Sequence, residues 1–528
     1  MAELIAAHPG ADSEQAARAR KRRLLVLYIC SLSLLIVNID STALNVALPA
    51  IQRTFNASLS SLQWVTDAYV LVISILMLAA GSMGDRVGRR RVFRYGLVIF
   101  VLGSLACSLA PSVETLIAFR MLQAVGGSML NPIALSIITH TFDDRRERAR
   151  AIGLWSATYG IALSAGPVVG GLLVDSLGWR WVFWINVPIG AAALVLTTIF
   201  VPESRAARPR RVDVPGQTII IAALGALTYA IIEGPTAGWT SAEIVGLFSF
   251  AAAMTVAFVA VELRVSEPLV EVRFFKSPPF SAAGIAATLS FFVMGGFLFV
   301  NTLYLQEVRH ESALLAGLAL LPATVFIALL SPVAGHIVGR NGPRVPLVVG
   351  GLTTAAGTAV LVLTEANSSY SLLIAAYCLI GIGMGFVNPP ITNTAVSGMP
   401  VNQAGVAGAV AATSRQVGTV LGIALLGSLL AEGFRTNLTA RLAVFHLPPQ
   451  KVAALAAAGA GAARLARTLH VRSLNAVEAI VRQVFTDATH AGWWLCTAAG
   501  LVLAVVAFVS TGPRGREIAV RVLTGVDD

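Results

Sequence analysis

About fourteen stretches of apolar residues, each roughly twenty long, recur along the 528-residue chain. As a helix, such a stretch matches the hydrocarbon thickness of a bilayer. In lipid every backbone N–H and C=O must also be satisfied within the structure. A chain that repeats this pattern is an all-α polytopic membrane protein. The stretches lie near 24–48, 62–82, 93–111, 114–139, 149–173, 180–201, 215–233, 241–262, 280–305, 314–338, 345–364, 370–397, 404–431 and 490–511. Only 12% of residues are charged, against about 25% in ordinary soluble domains, so length says nothing here about a number of soluble domains.

The net charge of +11 invites a nucleic-acid reading, but most of the excess sits in short loops between apolar stretches. Membrane topology and anionic lipid headgroups account for it, and no nucleic-acid partner is expected. Alternate loops carry Arg86 to Arg94, Arg145 to Arg150, Arg205 to Arg211 and Arg264 to Lys276, whereas the loops between them carry little beyond Arg53 and Arg180. Basic residues collect on the cytoplasmic side, so both termini are expected there, in a multi-pass protein of the cell inner (plasma) membrane. Basic residues at 18–23 precede the first stretch like a signal peptide, but no cleavage site follows and an uncleaved first span is expected. Segment 432–489 is the irregularity: it should lie outside, yet it carries seven basic residues, among them Arg435, Arg441 and Arg482. Its stretches 451–469 and 473–486 read as amphipathic helices lying on the outer membrane surface or capping the bundle.

Cys30, Cys107, Cys378 and Cys496 stand singly inside apolar spans, the seven histidines are scattered, and no phosphate-binding loop precedes a helix. Metal sites, ATP-driven action and enzymatic chemistry are therefore disfavoured, and no cofactor is expected. No filter loop or pore-lining ring supports a channel.

The turn at 81–91 holds Gly81, Asp85, Arg86, Gly88, Arg89 and Arg90 between two spans. Its glycines permit close helix approach and sharp reversal, and Asp85 can cap a helix or pair with an arginine. A weaker copy lies 254 positions on, where Gly335, Arg340, Gly342 and Arg344 fall on Gly81, Arg86, Gly88 and Arg90, while Gly339 replaces Asp85. Duplicated halves produce such a repeat. The expected division is a tail (1–23), an N-terminal six-helix half (24–201), a connector with two extra spans (202–279), a C-terminal six-helix half (280–511, including 432–489) and a second tail (512–528).

Ionisable groups inside a membrane are costly and point to function. Asp40 lies about 12 Å below the outer end of the first span, and Arg120 about 10 Å below that of the fourth. Asp67, somewhat shallower on the second span, is the third proton-coupling candidate that could join them in an arginine–carboxylate cluster, although capping or solvation is the simpler reading for it. An arginine that moves away from a buried carboxylate changes that carboxylate's affinity for a proton, which is what a proton-coupled carrier requires. The competing reading is a structural ion pair that locks the half. Arg415 lies near the centre of the thirteenth span with no acid in reach by sequence, and its partner stays open. Polar and aromatic residues on other apolar spans (Asn45, Trp155, Tyr159, Asn301, Tyr304, Asn388, Gln416) would, with Arg415, line an apolar cavity with a few polar handles.

Several of these segments resemble the fourteen-span drug:proton antiporters of the major facilitator superfamily. The resemblance rests on the 81–91 turn, on Asp40-Ser41-Thr42 through Pro49, on Arg120-Met121-Leu122-Gln123-Ala124-Val125-Gly126-Gly127, and on Gly160, Gly166-Pro167 and Gly170-Gly171 in the fifth span. Trp64 to Tyr69, Glu233-Gly234-Pro235 and Tyr304-Leu305-Gln306 extend it. It implies a role in proton transfer for Arg120, an export-favouring function for the fifth-span glycines, and alternating access. The expected partners are small amphipathic organic substrates, protons and membrane lipids, with the protein acting as a monomer. Export of an endogenous lipid or metabolite needs the same coupling site and stays the alternative to drug export; a membrane-embedded enzyme is the reading from another class.

Overall fold

The computed structural model describes residues 9–142, 144–206, 213–397, 404–442, 448, 450–452, 455, 462 and 474–511. Among them, fourteen spans are long and apolar enough to cross a membrane. The N-terminal half is built from α1 (Pro9–Phe55), α2 (Leu59–Val87), α3 (Arg89–Ser108), α4 (Val113–Thr141), α5 (Arg145–Ser176) and a sixth span broken into α6 (Trp181–Trp184) and α7 (Asn186–Phe200). Two extra spans follow, α8 (Val214–Ala237) and α9 (Ala242–Glu262). The C-terminal half holds α10 (Pro278–Leu303), a span divided into α11 (Ala313–Ala319) and α12 (Leu321–Asn341), α13 (Arg344–Val362), α14 (Tyr370–Ser397), α15 (Ala404–Leu442) and α16 (Leu474–Ser510). Helix α8 packs on both α2 and α15. Gln217 donates to the Ile75 carbonyl, and Ser428 to that of Ile231. The extra hairpin therefore straddles the seam between the halves.

Both copies of the repeated turn end a helix on a glycine with positive φ. Helix α2 stops at Gly88 with φ +121° and α12 at Gly342 with φ +82°, and the next helix starts within two residues. Only glycine adopts this left-handed region without strain, which is why the spacing survives although the acid of the first copy is missing from the second.

The outer segment departs from expectation. Helix α15 runs on past 431 to Leu442 and α16 begins at Leu474, so residues 474–486 continue the last span instead of lying on the membrane surface. Apolar positions at helical spacing explain it: Phe434, Leu438 and Leu442 are buried with Val477, Val481 and Phe485. The Phe434 and Phe485 rings meet edge-on at 6.0 Å. Three of the basic residues that looked misplaced are paired, Arg435 with Glu432 at 2.9 Å, Arg441 with Asp487 at 2.7 Å and Arg482 with the side-chain Oδ1 of Asn367 at 3.0 Å. Most of 451–469, residues 1–8 and the tail from 512 lie outside the described residues.

The halves close against each other at the end opposite the arginine-rich turn. Gln63 Nε2 donates to the carbonyls of Ile423 (3.2 Å) and Ala424 (2.9 Å), and Gln306 Nε2 to that of Val46 (2.9 Å). Asp175, at the end of α5, accepts the backbone N–H groups of Ala313 (3.1 Å) and Leu314 (2.8 Å) at the start of α11. A one-turn π-helix at Tyr304–Val308 carries Gln306 into this contact, together with Glu307, whose carboxylate lies 3.7 Å from Arg53. No contact of this kind joins the halves at the arginine-rich end among the hydrogen bonds of the described residues. A Cβ added at Gly81, Gly153, Gly160, Gly335 or Gly339 would meet nothing within 4 Å.

Candidate functional site: a buried charge network and the crevice between the halves

Helix α4 begins with a capping box between Ser112 and Thr115, which sets Arg120 two turns into the span. There Arg120 Nη1 lies 2.6 Å from Asp40 Oδ2 on α1 and 2.6 Å from Gln123 Oε1 one turn on. Asp40 Oδ1 accepts from Gln123 Nε2 (2.9 Å) and from Asn186 Nδ2 on α7 (2.6 Å). Gln123 also donates to Ser104 Oγ on α3 (2.6 Å), so four helices are joined in one network around this carboxylate. The Tyr69 ring lies 3.8 Å from the guanidinium carbon and that of Phe183 5.7 Å away, closing the site by cation–π contact. Side-chain exposure is 1% for Arg120 and 0% for Asp40. A charge pair this deep is tolerated only because its hydrogen bonds are met. Removing one partner from such a pair costs about 3–5 kcal/mol.

Asp67 is a correction to the sequence reading. It is fully buried and is neither a cap nor solvated, and neither carboxylate oxygen has a hydrogen-bond partner among the described residues. Ser58 caps α2, which places Asp67 more than two turns inside. It also does not join the Arg120 cluster. Val65, whose carbonyl accepts from Arg120 Nε at 3.4 Å, and Tyr69 turn toward Arg120. Asp67 lies two residues from each and so points to the opposite side of the helix. It shares its face with Gln63, which binds α15 across the seam.

At the other end of α2, Asp85 Oδ1 pairs with Arg89 at 2.9 Å across the Gly88 turn, and Arg86 stands in the last helical turn. The segment after α7 embraces this turn. Arg89 N donates to the Ser204 carbonyl (2.9 Å), Ala206 N to that of Asp85 (3.2 Å), and Arg90 N to Glu203 Oε1 (3.1 Å). Arg90 Nη1 reaches the Val201 carbonyl at 3.3 Å, and Arg91 lies 3.7 Å from Glu203. A Cβ at Gly88 would run into the Glu203 carboxylate, so this glycine is required twice, for its φ and for its neighbour.

The glycines of α5 form a packing seam. A Cβ at Gly166 would collide with Thr42 and one at Gly170 with Ala43, both on α1, while one at Gly171 would strike the Ala313 carbonyl. The Pro167 carbonyl fills the space beside Gly317 of α11. Small residues on both sides let backbones touch, and this is where the two halves meet. A Cβ at Gly160, lower on the same helix, would meet nothing within 4 Å.

The cavity candidates divide. Asn301 accepts from Tyr377 Oη at 2.6 Å, Tyr304 donates to the Glu365 carbonyl at 2.8 Å, and both are buried within the C-terminal half rather than in the crevice. Asn45 is buried in α1 and donates to the Ser41 carbonyl (3.1 Å). Trp155, Tyr159, Asn388, Arg415 and Gln416 are half-buried on α5, α14 and α15. Sequence reasoning missed Asn186, Ser104 and Tyr69 as partners of Asp40 and Arg120, and Glu203 as the partner of the turn. The search for charged residues passes over neutral amides in spans, although Asn186 is such a residue in an apolar stretch.

Residues 30–423 match the family model of the Major Facilitator Superfamily. The chain is 38% identical to the multidrug resistance protein Stp of Mycobacterium tuberculosis over 422 residues, 80% of this chain and 78% of that protein. It is 36% identical to the tetracenomycin C resistance and export protein of Streptomyces glaucescens over 503 residues, 94% and 93% of the two chains. Among solved structures it resembles a bacterial homologue of the human lysosomal transporter Spinster in an inward-facing, unoccupied conformation. That likeness has a TM-score of 0.66 at 18% identity and covers 96% of this chain and 98% of that one. With fourteen membrane-length helices arranged as two six-span halves and an added pair, the chain belongs to the Major Facilitator Superfamily.

Proposed function

We propose that the protein exports amphipathic, drug-like molecules across the plasma membrane in exchange for protons, by alternating access and as a monomer without cofactors. The arginine-rich turns and both termini are assigned to the cytoplasm. On that assignment the crevice opens inward and the outer end is closed, and a substrate enters among Trp155, Tyr159, Asn388, Arg415 and Gln416. The observation that carries the reading is the sealed Asp40–Arg120–Gln123–Asn186 network. Asp40 is held by donors on α4 and α7, Arg120 among them, so a proton on Asp40 removes the charge that holds Arg120, which loosens the helices carrying those donors and couples protonation to rocking. Asp67, unpartnered at the seam with α15, is assigned as a second proton carrier. Resistance and export in the names of the relatives support the substrate class.

A strain overexpressing the protein should tolerate a panel of amphipathic antibiotics at raised concentrations, and an uncoupler should remove the difference. Unchanged tolerance, or tolerance indifferent to the uncoupler, contradicts the proposal. In this reading the Asp85 turn is a cytoplasmic latch. Because its ion pair is partly exposed, Asp85→Asn should shift the inward–outward equilibrium only about twofold to fivefold, with a matching fall in initial rate. Spin-label distances across the cytoplasmic end read that shift, and a wild-type distribution with a wild-type rate rules the latch out.

A further inference from the structure

Two arginines sit deep inside spans, and their surroundings differ. Arg120 is sealed and saturated. Arg415 stands where α5 of one half faces α10, α14 and α15 of the other. Its Nη2 donates to Thr392 Oγ1 at 2.5 Å, and its guanidinium carbon lies 5.7 Å from the centre of the Phe291 ring. Tyr159, from the opposite half, is within electrostatic range. Its Nε is buried without a hydrogen-bond partner, and among the described residues no carboxylate lies at ion-pair distance. A guanidinium has five N–H donors, and among the described residues this one uses a single hydrogen bond, to Thr392. Trp155, one helical turn from Tyr159 on the same face of α5, also keeps a buried indole N–H without a partner.

Of the acids within the spans, four are bonded elsewhere and a fifth, Asp67, is fully buried. Asp40 is in the sealed network, and Asp67 is closed in at full depth. Glu233 accepts from Trp64 at 2.9 Å, Glu262 from Val270 N at 2.8 Å, and Asp175 from α11 at the closed end. A lipophilic cation in the crevice thus finds no counter-charge among them, but an anion finds one. A cation held in the membrane without a counter-ion is costly, and an arriving anionic group removes that cost.

We propose that Arg415, with Trp155, Tyr159 and Phe291, forms the binding site for the carboxylate, phenolate or sulfonate of an aromatic amphipath, so that the crevice selects anionic over cationic substrates. The planar guanidinium matches two oxygens of a carboxylate or sulfonate and donates to the single oxygen of a phenolate, and the rings take the aromatic body. The inference rests on the export reading and adds a consequence. Exchanging one exported monoanion for one imported proton moves two charges in the same sense, so anion export responds to membrane potential more steeply than export of a neutral analogue.

The test uses the full-length protein in lipid nanodiscs, with empty nanodiscs as blanks. Equilibrium dialysis compares anilinonaphthalene sulfonate, phenylnaphthylamine (nearly the same rings without the sulfonate) and tetraphenylphosphonium. The wild type should bind the sulfonate about tenfold more tightly than the neutral amine, with the cation weakest. Arg415→Gln should erase that preference and leave the neutral probe within about twofold, which also shows that the variant is folded; Arg415→Lys should recover part of it. Equal binding of the three probes, tightest binding of the cation, or loss of anionic and neutral probes alike in Arg415→Gln overturns the proposal. Because binding needs no gradient, sulfonate preference without proton-driven transport would refute the exporter reading alone. Proton-driven transport without that preference would refute the anion site alone.

Discussion

Asp40→Asn is expected to bring pH-gradient-driven transport in proteoliposomes down to the level of protein-free vesicles, while the protein still inserts. Insertion is set by the fourteen apolar spans, which the substitution leaves untouched. Asparagine preserves the size of the side chain and one acceptor for Gln123 or Asn186, but it carries no exchangeable proton. It also strands Arg120 as a buried cation, a loss of about 3–5 kcal/mol. Reduced transport from the single variant could therefore reflect instability, and the double variant Asp40→Asn/Arg120→Gln separates the two effects. With both charges gone the thermal midpoint should return toward wild type, while gradient-driven transport stays absent. Recovery of transport in the double variant would make the pair a structural lock. Arg120→Ala is expected to lose transport as well, because Asp40 keeps its amide donors but loses the one cation that faces it among the described residues.

Gly171→Trp should have an effect of similar size by a different route. Even a Cβ there lies 2.5 Å from the Ala313 carbonyl oxygen and 2.6 Å from Leu314 Cα, both belonging to the other half. An indole cannot share that space, so α5 and α11 must separate and the Asp175 contacts must break. The protein should then occupy the outward-open arrangement, with turnover lost and a cysteine probe placed in the crevice shielded from reagents added at the cytoplasmic side. Gly160→Trp, where an added Cβ would meet nothing within 4 Å, is the control and should leave the outer closure intact. Equal accessibility in Gly171→Trp and wild type would show that the seam does not govern the outer gate.

Much of this fold was legible in the sequence because a membrane allows few solutions. Apolar length alone yields fourteen spans, and the copied turn yields the two halves with positive-φ glycines at 88 and 342. Asp40 and Arg120 could be singled out because a charge in lipid requires a partner. What stayed hidden depends on direction and contact. Asp67 looked shallow and solvated, but Ser58 starts α2 earlier than hydropathy implies, and the helix turns the carboxylate away from Arg120 toward α15. Asn301 and Tyr304 looked like cavity handles, yet Tyr377 and the Glu365 carbonyl hold them inside their own half. Glu203 lies more than a hundred residues from the turn it clamps, and no local pattern connects the two. Asn186 is neutral, so the cost argument that finds charged residues passes it by.

The central claim is that proton movement through the Asp40 network is tied to substrate movement. Proteoliposomes with a trapped pH-sensitive dye test this most directly, by following proton flux when substrate is added without an imposed pH gradient. The account predicts that a substrate gradient alone drives protons in the opposite direction in the wild type, and that Asp40→Asn shows no proton flux at any substrate concentration. Substrate movement with no accompanying proton flux in the wild type, or proton flux of wild-type size in Asp40→Asn, would contradict it.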